Sequence, residues 1–266
     1  MSRANPYTYQ SFVADYYDYL PPVAGRQDLD FYLEVGRTQG EPILELGCGT
    51  GRVLLHMAQA GLRVVGLDLS EPMLDRCRAK LENQPAAVRD RVRLVHGDMT
   101  DFQLGETFRL INIPFRPFQH LLAVEQQLGC LRCARRHLAP GGRLVLDFFQ
   151  TDARRMHDPA FMQESSPHPE VALPDGTRVR LAERVAAFHR AEQCNHVELV
   201  YYVTHPDGRA ERLVFAFTLR YFFRYEVEHL LARCGFRVVE LFGNFDRSAL
   251  RGDSPEMIFV AEKEGS

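Results

Sequence analysis

Seven consecutive residues, Glu45-Leu46-Gly47-Cys48-Gly49-Thr50-Gly51, carry the densest chemical signal in this chain of 266 residues. Glycine at alternate positions lets the backbone take positive φ and lets a ligand approach the main chain closely. The N–H groups at the start of a following helix are then free to bind that ligand. A dinucleotide-binding loop would read G-x-G-x-x-G, but this one reads G-x-G-x-G and has Arg52 at the next position, which argues against a pyrophosphate ligand. Asp68 ends the apolar run Val65-Gly66-Leu67, the position from which an acidic side chain holds ribose hydroxyls in an open α/β sheet. His96-Gly97-Asp98-Met99 and Leu138-Ala139-Pro140-Gly141-Gly142 follow in order. Either aspartate alone could equally cap a helix or a turn.

The elements that must position these residues can be read from periodicity. Residues 43–46 and 62–67 predict two short buried strands, and Arg52 to Ala60 between them predicts a helix closed by Gly61. Ser70, with Pro72 just behind it, marks the start of the next helix. Residues 91–95, 109–113 and 143–148 predict further strands, with a helix over 124–138 that stops at Pro140-Gly141-Gly142. Short apolar strands alternating with helices predict a mostly parallel sheet covered on both faces. Ahead of it lies an aromatic-rich helical prelude holding Tyr7, Tyr9, Phe12, Tyr16, Tyr17 and Tyr19, broken at Pro21-Pro22.

After Phe149 the rhythm changes. Residues 150–176 read as loop, and then three segments alternate with period two. Their apolar faces hold Val179 and Leu181; Val197, Leu199, Tyr201 and Val203; and Leu213, Phe215, Phe217 and Leu219. His205-Pro206-Asp207-Gly208 joins the last two as a hairpin. The chain then returns to helix (224–234) and strands (237–241 and 257–261). The expected organisation is a helical cap over 1–40, an α/β core over 41–149, an antiparallel β insertion over 150–223 and a completion of the core sheet over 224–266.

Composition narrows the partners. The formal net charge is −3 with no Lys/Arg-rich run, so no nucleic-acid partner is expected. No apolar run approaches the roughly 20 residues of a membrane-crossing helix, and Met1-Ser2-Arg3-Ala4-Asn5-Pro6 starts no apolar leader. The expected location is the cytoplasm, with no membrane partner. Six scattered cysteines read as reduced thiols. Cys130 and Cys133 fall on a helix with Val124, Leu128 and Leu131 at helical spacing, and no second Cys/His pair stands at zinc-like spacing, so no metal is expected.

From about 41 to 149 the chain resembles the class I S-adenosylmethionine-dependent methyltransferases, through E-x-G-x-G-x-G, the acidic end of strand two, G-D-M and L-x-P-G-G. The resemblance implies an α/β, doubly wound, Rossmann-like fold. Its sheet would have seven mostly parallel strands, with the antiparallel insertion after strand five. It implies S-adenosylmethionine as cofactor and S-adenosylhomocysteine as product. Gly47, Cys48 and Gly49 would line the methionine part, Glu45 would face its amino group and Asp68 would take the ribose hydroxyls. Leu69 and Met73 would pack near adenine, while Asp98 in Gly97-Asp98-Met99 would read its edge. Ile113 and Phe115, with Tyr16 and Tyr19, complete the expected cofactor site. The tyrosines, Gly97-Asp98-Met99 with Phe102, and the insertion are similar to small-molecule N-methyltransferases of the amino-sugar and glycine groups, where His120 matches a His after strand four. Asn112-Ile113-Pro114-Phe115 also resembles the N-P-P-[YF] motif of adenine- and glutamine-modifying methyltransferases, with Ile113 departing from it.

The activated methyl makes alignment the main task, worth up to about 7–11 kcal/mol. A dry aromatic pocket suits dispersal of the sulfonium charge, and Tyr16, Tyr17, Tyr19, Phe115 and Phe118 are candidate walls. An amine acceptor must attack unprotonated. His120, whose ordinary pKa is near neutrality, is the candidate general base, with Tyr16 as the second catalytic candidate. The expected acceptor is a small molecule, nitrogen ahead of oxygen. A non-transfer reaction on the same fold, or a non-catalytic cofactor-binding subunit, stays open. So does the choice of the aromatic hairpin as lid or as homodimer interface.

Overall fold

In the computed structural model, which describes residues 11–265, two short helices come first, α1 (Phe12–Tyr16) and α2 (Pro21–Ala24). Pro21-Pro22 opens α2, where a missing N–H leaves nothing unpaired, so the proline pair starts a helix as well as ending the prelude. Tyr7 and Tyr9 lie outside the described residues. Next come α3 (Leu29–Gln39), β1 (Ile43–Leu46), α4 (Arg52–Gln59), β2 (Val64–Asp68), α5 (Glu71–Glu82), α6 (Ala86–Arg89), β3 (Val92–His96), β4 (Phe108–Ile113), α7 (Val124–His137) and β5 (Leu138–Phe149). Ser70 caps α5 as expected: its hydroxyl accepts from the Met73 N–H at 3.4 Å, and Pro72 sits in the first turn. The short helix α6 left no clear sequence signal.

The insertion supplies β6 (Val171–Ala172), β7 (Arg178–His189), β8 (Cys194–Thr204) and β9 (Ala210–Arg220). They form a four-stranded antiparallel sheet in the order β6-β7-β8-β9. Period-two alternation places Val179, Leu181, Val197, Tyr201 and Phe215 on one buried face. The expected β8–β9 hairpin closes with Gly208 N–H donating to the His205 carbonyl at 2.9 Å. Residues 150–176 are less bare than expected, holding two 3₁₀ turns (Ala153–Met156 and Pro159–Met162) and β6.

The chain ends with α8 (Arg224–Arg233), β10 (Phe236–Phe242) and β11 (Glu256–Lys263). The core sheet has seven strands in the order β10-β11-β5-β4-β1-β2-β3. β1 to β5 run parallel, and β11 runs antiparallel to both β5 and β10. Alternation sends neighbouring residues to opposite layers. Leu44, Ile111, Leu144 and Phe148 join Leu128, Leu131, Val227 and Leu231 of α7 and α8 in one cluster. Ile43, Leu110, Val145 and Ile258 join Phe31, Val35, Val53 and Met57 of α3 and α4 in the other. This is the doubly wound arrangement predicted from the strand–helix rhythm.

Contacts divide the chain into two units. One holds 11–26 with 151–221 and the other 27–150 with 222–265, so the first helices belong with the insertion while α3 belongs with the core. All six cysteines are free and buried, Cys130 and Cys133 within α7. Among the described residues, no helix is long and apolar enough to cross a membrane.

Candidate functional site

Parallel pairing brings the carboxyl ends of β1, β2, β4 and β5 to one edge of the core sheet, the edge at which open α/β sheets bind ligands. The glycine loop turns there. Gly47 and Cys48 donate N–H groups to the Leu67 carbonyl at 2.8 and 3.2 Å, tying the loop to the end of β2. Gly47 has φ 70°, and a Cβ added to it would lie 2.6 Å from Pro117 Cβ, so only glycine fits under the segment after β4. Gly49 has φ 53° but faces open space, with nothing within 4 Å of an added Cβ. The loop is thus closed on one side and open on the other, a cradle with room for a ligand.

Two carboxylates flank it. Asp68 accepts the Gly49 N–H at 2.7 Å on Oδ2 and the Ser70 N–H at 2.8 Å on Oδ1, and the Leu69 backbone adds a third bond, which leaves the carboxylate acceptor capacity for a hydroxyl. Burial raises its pKa, opposed by these backbone bonds. Glu45 is 1% exposed. Burial pushes its pKa up to about 8, against the opposing pull of Arg52 and of the Asn112 side chain, whose Nδ2 donates to Glu45 Oε2 at 3.4 Å. Arg52 stands in the first turn of α4, where a cation opposes the helix dipole, and it is held there by a two-bonded pair with the buried Asp28 at 2.5 and 2.7 Å. A buried carboxyl that is mostly protonated near neutrality suits a ligand that brings its own cation. The residue set therefore fits an amino-acid cation and a ribose together.

Around this pair, Met73 is buried in the first turn of α5, and Leu69 is half-buried with its carbonyl 3.0 Å from His96 Nε2. The Gly97 N–H donates to the Asp68 carbonyl at 2.9 Å. The Met99 methyl lies 4.0 Å from where a Gly47 Cβ would stand. Asp98 is exposed and accepts the Thr100 N–H at 2.8 Å, the turn-forming role an aspartate can play with or without a ligand. Burial keeps the Cys48 thiol protonated.

The segment after β4 departs from expectation in three places. Ile113 is fully buried among core residues, which leaves its backbone as the part able to face a ligand. Phe118 is 1% exposed and packs 5.7 Å from both Phe148 and Phe222, so it belongs to the core and is no pocket wall. His120 ends a 3₁₀ turn (Pro117–His120) that Gln119 anchors by accepting the Phe149 N–H at 3.1 Å. Part of His120 remains accessible, yet desolvation pushes its pKa down to about 4, far from the near-neutral value its residue type suggests. Phe115 is half-buried beside Arg52, whose guanidinium carbon lies 5.5 Å from its ring centroid.

Tyr16 and Tyr19 belong to the other unit. Tyr16 closes α1 with its ring 6.1 Å from that of Tyr201, and burial raises its pKa. Tyr19 is 39% exposed. Of the aromatic residues of the insertion and its exit, Tyr201 and Phe215 are fully buried, while Phe223 is 46% exposed. Sequence reading passed over Asp28, Tyr32, Arg116, Asp147 and Glu256, all buried in the core unit. Asp147 did leave a signal: a carboxylate inside the apolar run Leu144-Val145-Leu146-Asp147-Phe148. Among the described residues no group of three His, Cys, Asp or Glu side chains could hold a metal ion.

Comparison with known proteins adds to this geometry. Residues 43–142 match the family model of a methyltransferase domain. Cypemycin N-terminal methyltransferase of a Streptomyces species is 29% identical over 85% of this chain and 84% of that protein. The dTDP-3-amino-3,6-dideoxy-alpha-D-glucopyranose N,N-dimethyltransferase of Streptomyces fradiae is 28% identical over 75% and 73%. The solved structure of the CcbJ methyltransferase from Streptomyces caelestis superposes with a TM-score of 0.76 at 27% identity, covering 98% of this chain and all of that one. With the glycine loop, the two carboxylates and the seven-stranded sheet already in place, residues 43–142 match a methyltransferase domain, and the chain is similar along most of its length to S-adenosylmethionine-dependent methyltransferases, amino-sugar N-methyltransferases among them.

Proposed function

We propose that this enzyme transfers the methyl group of S-adenosylmethionine to an amine nitrogen of a small molecule. The observation that carries the cofactor half is the buried Glu45 carboxyl at the start of an open glycine loop to which Asp68, 23 positions further on in the sequence, is hydrogen-bonded. In this reading Glu45 meets the amino group of the cofactor, Asp68 its ribose, and Leu69, Met73 and Met99 its adenine. The amine half is supported by relatives whose names specify an N-terminal methyltransferase and an amino-sugar N,N-dimethyltransferase.

The bound cofactor supplies an already activated methyl, so the protein's own residues have to orient, desolvate and handle one proton. His120, with a pKa of about 4, is neutral at pH 7 but a weak base. Taking a proton from an alkylammonium of pKa about 10 would be uphill by roughly 8 kcal/mol. Its fitting role is to accept a hydrogen bond from an already neutral amine, which aims the nitrogen lone pair. Phe115 lies next to Arg52 at the methionine side of the loop and gives that end an apolar wall.

The test is calorimetric titration of wild type and Asp68→Ala with S-adenosylmethionine, followed by release of S-adenosylhomocysteine with small amines, amino sugars among them. Micromolar binding, about −8 kcal/mol, that collapses in the variant is the expected result. Folded wild type that fails to bind sinks the cofactor assignment. Binding with turnover on hydroxyl acceptors alone sinks the amine assignment.

A further inference from the structure

Phe115 and Arg116 both have positive φ, 66° and 68°. Two successive non-glycine residues adopt the left-handed region only when their surroundings impose it. The surroundings here are charged and dry. Asp147 Oδ1 accepts the Phe115 N–H at 2.8 Å and the Tyr32 hydroxyl at 2.7 Å. The Arg116 guanidinium pairs with Glu256, lies 4.0 Å from Asp147 Oδ2 and stacks 3.4 Å above the Phe149 ring. Asp147, Tyr32, Arg116 and Glu256 are all buried. Apolar side chains of the same size would hold these strands together as well or better, so the polar set calls for a reason beyond stability.

The reason is visible in what the corner touches. Immediately after it, Pro117 presses on Gly47, and the Phe115 ring lies beside Arg52 at the exit of the loop. Gly47 follows Glu45 by two positions, and Arg52 is the cation whose charge acts on the Glu45 carboxyl. We propose that Asp147 and Arg116 are positioning residues. They lock the left-handed Phe115–Arg116 corner, and the corner fixes the part of the glycine loop that receives the amino-acid arm of the cofactor. This inference rests on the cofactor reading given above, and it assigns Asp147 and Arg116 no contact with the cofactor itself.

The experiment compares two ligands on wild type, Asp147→Ala and Asp147→Asn, with melting temperatures as a check on folding. One ligand is S-adenosylhomocysteine; the other is 5′-methylthioadenosine, which has the same nucleoside without the amino-acid arm. Asp147→Ala should lose S-adenosylhomocysteine affinity about tenfold or more (about 1.4 kcal/mol) while 5′-methylthioadenosine affinity stays within about threefold. Asp147→Asn, whose Oδ1 still accepts the Phe115 N–H, should keep both affinities. Should Asp147→Ala fail to fold, Arg116→Leu is expected to show the same selective loss. Equal loss of both ligands, loss of neither, or an Asn variant as weak as Ala overturns the inference and leaves the cofactor site standing. Wild type that binds neither ligand overturns the cofactor reading and this inference with it.

Discussion

Replacing Glu45 by glutamine should stabilise the unliganded protein while weakening its hold on the cofactor, with a pH dependence that identifies the cause. Glu45 is 1% exposed, and burial lifts its pKa from the ordinary 4.5 to about 8. Between those two values the folded chain holds a proton that the unfolded chain has released, so this group lowers stability as pH rises from about 4.5 to 8. At about 1.4 kcal/mol per pH unit, the rise from 4.5 to about 8 amounts to roughly 5 kcal/mol as an upper bound, complete above pH 8 and absent below 4.5. Glu45→Gln keeps an oxygen for the Asn112 Nδ2 donor and removes the titration. Denaturant unfolding at pH 4.5, 7 and 9 should therefore show the variant gaining on wild type by several kcal/mol across the series. Cofactor binding supplies the opposite sign. The ligand's ammonium would favour ionised Glu45, so binding to wild type at pH 7 should release close to one proton, read as a dependence of calorimetric heat on buffer ionisation enthalpy. Glu45→Gln should release none and bind at least about tenfold more weakly. A stability difference that is constant with pH would refute the reasoning, because it would mean that Glu45 titrates alike in the folded and unfolded chain.

Three other outcomes follow from the site. His120, lowered to about 4 by burial, should give no break near pH 6.5 in kcat/KM; a break there that disappears in His120→Gln would show the ring titrating normally. Because the unfolded chain takes up that proton first, His120 also makes the fold lose stability as pH falls from about 6.5 to 4. Gly47→Ala combines a left-handed φ with a 2.6 Å approach to Pro117, whereas Gly49→Ala has the φ without the clash. The first should cost about 1–3 kcal/mol more than the second in thermal unfolding, and equal losses would mean that Pro117 yields freely.

What the sequence determined is what neighbours along the chain can encode. Gly47, Gly49 and Gly51 follow a strand and open a helix, Ser70 caps the helix after Asp68, and Asp207-Gly208 closes the β8–β9 hairpin. Each needs only residues within a few positions, so composition and spacing suffice. The alternation of strand and helix likewise announced a doubly wound sheet, because strands buried on both faces leave no other apolar pattern. Tertiary structure alone decided the charges and the clamp. Tyr32 and Asp147 are 115 positions apart, and Arg116 and Glu256 are 140 apart, yet they meet beneath one corner. The raised pKa of Glu45 and the lowered pKa of His120 come first from desolvation, which sums over every group packed around them and is written at no single position. A histidine that looks like a neutral-pH base in the sequence becomes a weak one by desolvation, and a glutamate that looks like an ordinary anion has its pKa pushed up to about 8 by burial.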